Sequence, residues 1–142
     1  MALQQLQNIT LSVNYFQKAI DLEPKNIAAK NNLANSLKFL GKFDLSEKLY
    51  HDILDQEPNH LKCLNNFANL KQQLTDYNGA ILLYRRALKI EPKNITVLMS
   101  LAASYQSLGN FEEAISTINQ ILNINKNIMS AHKLLSSIVD YK

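Results

Sequence analysis

The stretch DLEPKN, at residues 21–26, returns twice along the chain in slightly altered form. The later copies are DQEPNH at 55–60 and KIEPKN at 89–94. Each copy contains one of the three prolines of the chain, and successive prolines lie 34 residues apart. A fixed spacing of 20–50 residues is the signature of a fold built from stacked repeats. Because proline stops a helix and cannot extend it, each copy marks the end of one repeat.

Columns of similar side chains appear when the chain is written as 34-residue units with proline at position 32. Position 7 holds a large apolar residue in each unit: Leu33, Phe67 and Leu101. Position 8 holds alanine: Ala34, Ala68 and Ala102. Position 20 holds another small residue: Ser46, Ala80 and Ala114. The small residues are predicted to lie where the two helices of a unit approach closely, and the large ones to fill the space between units.

Two helices per unit follow from these columns, since residues spaced by 3, 4 and 7 share one helical face. The predicted elements are a short helical stub and then eight helices, at 10–22, 27–39, 44–56, 61–73, 78–90, 95–107, 112–124 and 129–141. A helix-ending glycine is expected in LGKF (40–43) and LGNF (108–111), and Thr75 replaces it in the unit between them. Four polar residues are predicted to cap helix N-termini: Asn26, Asp44, Asn78 and Asn94.

The repeats predict one domain, residues 1–142, with an all-α fold: a right-handed superhelical α-solenoid of antiparallel helix pairs. It consists of a partial unit, three full units and the first helix of a further unit, at 1–26, 27–60, 61–94, 95–128 and 129–142. The last helix carries four apolar residues with no partner helix after it: Leu134, Leu135, Ile138 and Val139. The incomplete ends predict a fragment of a longer protein. They also leave open a self-assembly scaffold, a homo-oligomer formed through exposed terminal helices.

Composition and charge argue against several functional classes. The chain is 46% hydrophobic and 19% charged, as expected of a folded domain. Its 15 Lys and Arg residues are scattered rather than gathered in a basic stripe, so no nucleic-acid partner is predicted. There is no secretory signal and no apolar run long enough for a membrane span. The single cysteine rules out an internal disulfide and favours a reducing compartment, so a cytoplasmic location is predicted.

No motif for catalysis, a metal or a cofactor is present in the sequence. Cys63 lies at position 3, a packing column, and is predicted to be a small core residue. The three histidines fall in different columns: His51 in an exposed one, His60 in a loop or cap, and His132 in a packing position. CxxC, HExxH and glycine-rich phosphate loops are absent. The sequence therefore predicts a protein that is not an enzyme and has no cofactor or metal.

The repeat pattern resembles the tetratricopeptide repeat (TPR) family over nearly the whole chain. The best-matching segments are LANSLKFLGKFDLSEKLYHDILDQEP (33–58), FANLKQQLTDYNGAILLYRRALKIEP (67–92) and LAASYQSLGNFEEAISTINQILNINK (101–126). Position 4, often Trp in the family, is occupied here by Lys30, Leu64 and Leu98. The resemblance implies helix–turn–helix units that bind a peptide or a partner protein, and it does not identify that partner.

Two asparagine-rich segments, NNLAN (31–35) and NNFAN (65–69), are similar to the repeats that precede the catalytic domain of O-GlcNAc transferase. Those repeats carry a ladder of asparagines on their inner surface. The segment AHKLLSS (131–137) is similar to repeats that precede bacterial sulfotransferase-like domains. These likenesses imply an alternative function, a non-catalytic segment of a larger glycosyltransferase or sulfotransferase.

The first helix of each unit is expected to line a concave groove with its polar residues. Nine of these residues are the predicted peptide-binding set: Asn31, Asn32, Asn35, Lys62, Asn65, Asn66, Asn69, Gln73 and Ser100. An amide side chain offers both an acceptor and donors, so a row of amides can pair with the backbone of an extended peptide. Equally, asparagine is frequent in this chain, with 17 residues, and is an ordinary residue on a solvated face.

A carboxylate clamp of the co-chaperone TPR type is not predicted. That clamp uses Lys and Asn at positions 2 and 6 of one unit, Asn at position 6 of the next, and Lys and Arg in the third. The corresponding residues here are Ala28 and Asn32, Lys62 and Asn66, and Thr96 and Ser100. The third pair carries no charge and the first lacks lysine, so the two cations that would flank a terminal carboxylate are missing.

Overall fold

A computed structural model describes residues 2–141, which form eight α-helices and no β-strand. The helices are α1 (Leu3–Leu22), α2 (Ile27–Phe39), α3 (Phe43–Gln56), α4 (Leu61–Gln73), α5 (Tyr77–Ile90), α6 (Ile95–Ser107), α7 (Phe111–Ile124) and α8 (Met129–Tyr141). This confirms the all-α fold class. Met1 and Lys142, the predicted ends of the first and last units, lie outside the described residues. Over residues 2–141, no helix combines the length and apolarity needed to cross a membrane.

The second helix of each full unit begins one residue earlier than predicted, and this moves its cap. Asp44 and Asn78 therefore lie inside the first turns of α3 and α5, so their prediction as N-caps was wrong. Asp76 caps α5 instead, because its carboxylate accepts a hydrogen bond from the Gly79 N–H at 3.0 Å. The N-cap of α3 is Lys42, which makes no side-chain cap bond, and the Asp44 carboxylate favours the helix dipole from the first turn.

The predicted caps of the first helices are confirmed. The Asn26 side chain accepts from the Ala29 N–H at 3.0 Å, and Asn94 accepts from the Val97 N–H at 3.1 Å. His60, predicted as a loop or cap residue, plays the same part for α4, since its Nδ1 accepts from the Cys63 N–H at 3.0 Å. Each cap satisfies one of the N–H groups that a helix start leaves without an intrahelical partner.

The turns inside the three full units use the left-handed conformation that the sequence predicts. Gly41 and Gly109 both have φ of 77°, and Thr75 has φ of 61° at the equivalent position. A β-branched residue is strained in this region, whereas glycine is not. The backbone of the turn is thus the same in all three units, even though one of them lacks the residue that best suits it.

The predicted break between a stub and a helix at 10–22 was wrong. Residues Leu3–Leu22 form one continuous 20-residue helix. The corresponding segment, LQNI (6–9), has neither glycine nor an aromatic residue, in contrast to LGKF and LGNF. Gln7 stands at the position of Gly41 and Gly109, and the helix continues through it.

The chain divides into two compact units, residues 1–66 and residues 67–142, with the boundary inside α4. In the first unit, the predicted close approach of α2 and α3 is confirmed. Ala34 and Ser46 are both fully buried, and the Ser46 hydroxyl donates to the Ala34 carbonyl at 2.7 Å. Tyr50 and Cys63 complete this core, and the Cys63 sulfur lies 3.7 Å from the Tyr50 carbonyl oxygen. The prediction that Cys63 is a small core residue is therefore confirmed.

The second unit has a core formed by α6, α7 and α8. Its fully or nearly fully buried residues are Leu98, Ala102, Ala114, Ile118, Ile121, Ala131 and Ile138. Two predictions for α8 were wrong. Ile138, expected to be bare, is buried against this core, while Val139 is 55% exposed. His132, expected in a packing position, is exposed, and its Nε2 lies 2.7 Å from the Lys126 carbonyl oxygen.

Candidate peptide-binding surface

The predicted peptide-binding residues all lie on first helices, α2, α4 and α6. Six belong to the first unit: Asn31, Asn32, Asn35, Lys62, Asn65 and Asn66. Three belong to the second unit: Asn69, Gln73 and Ser100. We call the first group the α2–α4 face. Some of its residues form hydrogen bonds within the protein and others do not. Only polar atoms that are not bonded internally can bind a ligand without breaking a contact of the fold.

An amide pair joins the two helices of the α2–α4 face. The Asn66 Nδ2 donates to the Asn31 Oδ1 at 3.3 Å. Asn31 is 2% exposed, so this amide lies beneath the surface rather than on it. The role of Asn31 is to hold α4 against α2, and it has no exposed atoms with which to contact a ligand directly.

Two further asparagines are bound to tyrosines of the second helices. The Tyr50 hydroxyl donates to the Asn35 Oδ1 at 2.5 Å, and the Tyr84 hydroxyl donates to the Asn69 Oδ1 at the same distance. In each case asparagine occupies position 9 and tyrosine position 24 of one repeat. Burial raises the pKa of both tyrosine hydroxyls, that of Tyr84 to about 12, so both remain donors at neutral pH. These two asparagine oxygens are therefore committed to holding the helix pair together.

A sequence signal for this pair exists. In the third full unit, position 9 is Ala103 and position 24 is Ile118, so both members of the pair are replaced together. A polar residue facing a buried partner needs that partner, whereas two apolar residues satisfy each other. The joint change at positions 9 and 24 is therefore the signal that distinguishes Asn35 and Asn69, which are bonded to tyrosines, from the other asparagines of the candidate set.

Tyr84 belongs to a wider polar network in the second unit. Its hydroxyl also lies 3.2 Å from the Gln72 Oε1, and the Gln72 Nε2 donates to the Ser104 hydroxyl at 3.2 Å. The carbonyl of Ser100 accepts from the same Gln72 amide group at 3.5 Å. Ser100 thus takes part through its backbone. Gln72, which was outside the candidate set, is the residue that joins α4 to α6.

The remaining residues of the α2–α4 face have polar atoms that form no bond within the protein. The Asn65 Oδ1 is buried and has no hydrogen-bond partner, although the residue as a whole is only half-buried. Exchanging its amide oxygen and nitrogen would leave an unpaired donor in place of an unpaired acceptor. Within residues 2–141, Asn32 and Lys62 also make no hydrogen bond or ion pair, and Lys62 is exposed.

Lys62 is the cation of this face, because the neighbouring Lys30 is used internally. The Lys30 Nζ lies 2.6 Å from the Asp52 carboxylate, and the Lys30 side chain is only 9% exposed. Its charge is neutralised within the repeat, at the position where the family often has Trp. The α2–α4 face therefore presents one free positive charge beside uncommitted amides.

The acidic, histidine and cysteine side chains do not gather into a metal site in the described part of the structure. Across the described part of the chain, no three His, Cys, Asp or Glu side chains lie close enough together to hold a metal ion. The chemistry of the surface is that of amides, one ammonium group and hydroxyls, which bind by hydrogen bonding and charge.

The comparison with known families agrees with the repeat pattern. Two family models described as tetratricopeptide repeat match the chain, at residues 71–138 and 1–26. Together they cover about two thirds of it. A search of curated proteins gives no match.

Solved structures share the fold at low sequence identity. A crystal structure of MamA superposes with a TM-score of 0.86 at 12% identity, covering 99% of this chain and 85% of that one. A tetratricopeptide repeat protein from Parabacteroides merdae gives 0.85 at 22% identity, covering 95% of this chain and 55% of that one. The first TPR of Spaghetti (RPAP3), bound to the HSP90 peptide SRMEEVD, gives 0.74 at 19% identity, covering 82% and 93%. These structures show the shared fold, and the two family models identify the repeats of this chain as tetratricopeptide repeats.

Proposed function

We propose that this protein is an interaction module whose α2–α4 face binds an extended peptide of a partner protein. The observation that carries the proposal is the unpaired oxygen of Asn65, next to the uncommitted Asn32 and Lys62. A buried polar atom without a partner costs about 1–3 kcal/mol. In this proposal the half-buried Asn65 amide rotates when the ligand binds, and a peptide N–H of the ligand donates to its oxygen.

The asparagine set acts in two layers in this proposal. Asn31 and Asn66 hold α2 against α4, and Asn35 holds α2 against α3 through Tyr50. Asn32 and Asn65 contact the ligand, each offering an acceptor and two donors to the peptide groups of an extended strand. Such contacts recognise the backbone of the ligand more than its side chains. Lys62 adds an attraction for an acidic residue at one end of the bound segment.

A structural neighbour supports the ligand class. The Spaghetti TPR, which has the same fold, is bound to a peptide. Our chain lacks the cations of a carboxylate clamp, so the proposal concerns the interior of a peptide rather than its C-terminal carboxylate. The peptide SRMEEVD is accordingly a useful comparison ligand, and we expect it to bind no better than a peptide of the same composition in scrambled order.

The test uses a peptide selected from a library of random twelve-residue sequences displayed on phage. We expect Asn65→Ala to weaken binding of the selected peptide about five- to tenfold, as measured by fluorescence anisotropy. The same substitution should leave the stability to urea unchanged or slightly raised, because it removes an unsatisfied oxygen. Methylating the peptide N–H that faces Asn65 should weaken binding to the wild-type protein by a similar factor.

The matched control is Asn119→Ala, since Asn119 is an exposed asparagine on α7, outside the predicted peptide-binding set. It should leave the affinity unchanged. Equal affinities for the Asn65→Ala and Asn119→Ala proteins would place the peptide elsewhere and contradict the proposal.

A second candidate function, self-association, is favoured by the surface of α1. None of the residues of this helix is buried, and Leu3, Leu11 and Tyr15 are 74%, 67% and 70% exposed. Apolar side chains grouped on one helix are the kind of surface that associates in water. We expect sedimentation velocity to show a dimer or larger species at 100 μM protein, and Leu11→Glu to return it to a monomer. A monomer of the wild-type protein at that concentration would rule out this function.

A further inference from the structure

A second groove lies on the side of the second helices, in the second compact unit. It runs between α5 and α7 over α6, and we call it the α5–α7 groove. Its volume is about 550 Å³, within the range of sites that hold a ligand. Leu88, Leu101 and Tyr105 provide its apolar floor. None of the residues proposed to bind a peptide on the α2–α4 face lines it.

The groove exists because one repeat departs from its own pattern. Position 23 is Leu49 and Leu83 in the preceding full units, but it is Thr117 on α7. Thr117 lines the groove, is 4% exposed, and donates its hydroxyl to the Glu113 carbonyl in the preceding turn. Position 22, by contrast, has no fixed residue type: it is Lys48, Leu82 and Ser116 in the three full units. Replacing the leucine of position 23 by the smaller threonine leaves space that the groove occupies.

Positive charge on one wall of the groove is a second departure from the repeat pattern. Arg85 and Lys89, at positions 25 and 29, line the α5 wall one helical turn apart. The equivalent pairs in the other units carry no such charge: Gln17 and Asp21, His51 and Asp55, and Asn119 and Asn123. Within residues 2–141, Arg85 and Lys89 form no ion pair, even with Glu113 at the opposite wall.

We propose that the α5–α7 groove binds an acidic peptide segment that carries at least one large apolar side chain. Its carboxylate lies between Arg85 and Lys89, and its apolar side chain covers Leu101 and Tyr105. Charge complementarity favours this occupant, because two cations without an ion-pair partner can bind its carboxylate, and the apolar residues beside them can bind its apolar side chain. Glu113 restricts the negative charge of the peptide to the α5 side, so the groove sets the direction of the bound segment.

The test maps binding by NMR on the ¹⁵N-labelled protein. The probe is an eight-residue peptide of alternating leucine and glutamate, and its control has glutamine in place of glutamate. We expect the acidic peptide to shift the amide signals of Arg85, Lys89, Leu101 and Thr117. We expect its affinity to fall about five- to tenfold in the Arg85→Gln/Lys89→Gln protein, and also in 0.5 M salt. Lys126→Gln/Lys133→Gln, which removes the same charge from exposed positions outside the groove, should change nothing.

A second variant tests the shape of the groove independently of charge. Thr117→Leu restores the leucine of the other units and fills the space, so it should weaken the acidic peptide at least tenfold while the protein stays folded. Three results would overturn the proposal: equal binding of the glutamate and glutamine peptides, shifts confined to Asn32 and Asn65 on the α2–α4 face, or no shift at millimolar peptide. The second of these would support the proposed function while rejecting this groove.

Discussion

Replacing Tyr84 by alanine should lower the free energy of unfolding by about 3–5 kcal/mol, the range for removing a buried aromatic side chain. Tyr84 is fully buried at position 24 of its repeat. The loss has two parts, the cavity left by the ring and the polar partners left without a donor. Urea denaturation followed by circular dichroism measures the total.

Tyr84→Phe separates these two parts. It keeps the ring and removes only the hydroxyl, leaving the Asn69 Oδ1 without its donor and Gln72 without its neighbour. We expect a loss of about 1 kcal/mol, and a smaller loss when Asn69→Ala is already present, because only the contact of the Tyr84 hydroxyl with Gln72 is then removed. Tyr77→Phe is the control, since Tyr77 makes no hydrogen bond within the described residues. Equal losses for the two phenylalanine variants would show that the Tyr84–Asn69 bond contributes nothing.

The ionisation of Tyr84 at alkaline pH gives a second measurement of its burial. Burial raises the pKa of the Tyr84 hydroxyl from 10.0 to about 12, so its ionisation is disfavoured in the folded state. The raised pKa adds nothing to the change of stability with pH below about pH 10. Between pH 10 and 12 the unfolded chain ionises this group and the folded chain does not, so stability is lost as pH rises. Tyrosinate absorbance, compared between wild type and Tyr84→Phe, isolates this titration.

Replacing Ala102 by leucine should lower the free energy of unfolding by about 1–3 kcal/mol, and by more if α6 and α7 cannot move apart. Ala102 is fully buried, and Ala114 of α7 is buried in the same core. Position 8 is alanine and position 20 is alanine or serine in all three full units. The added atoms must therefore force the two helices apart or push neighbouring side chains out of their preferred rotamers. Thermal and urea denaturation both measure this loss.

Ala103→Leu is the matched control for this substitution. Ala103 is the next residue of α6 and is only half-buried, so the same added volume extends towards solvent. Its effect should stay within about 0.5 kcal/mol. If the Ala102→Leu and Ala103→Leu proteins were equally stable, the small residues at positions 8 and 20 would not mark the closest approach of the two helices.

The helices could be predicted almost residue by residue, because the repeat makes each unit a check on the others. The ends of the helices depend on single residues, and the prediction failed at ends where the residues differ from those of the other units. Asp76, and not Asn78, is the N-cap of α5, because Asp76 precedes the first turn of the helix and Asn78 lies within that turn. The predicted break before residue 10 was also wrong, since Gln7 stands where the full units have Gly41, Thr75 and Gly109, and the helix runs through it.

The candidate surface was harder to predict than the fold. A helical face can be assigned from spacing, but spacing does not show whether an amide is already bonded inside the protein. Asn31 and Asn65 occupy the same position 5 in consecutive units, yet one is buried in a pair and the other has an unsatisfied oxygen. Asn31 is paired because Asn66 of α4 donates to it across the two helices. The direction of such a side chain cannot be read from the sequence.

The contacts between helices have a consequence for how the chain folds. Within each compact unit, helices contact their neighbours along the chain, and further contacts join helices separated by only one other helix, as between α2 and α4, α4 and α6, and α6 and α8. Contacts between nearby residues require only short loops to close, so such chains reach their native state quickly. Each hairpin of helices can form as soon as its residues leave the ribosome, before the remainder of the polypeptide has been synthesised.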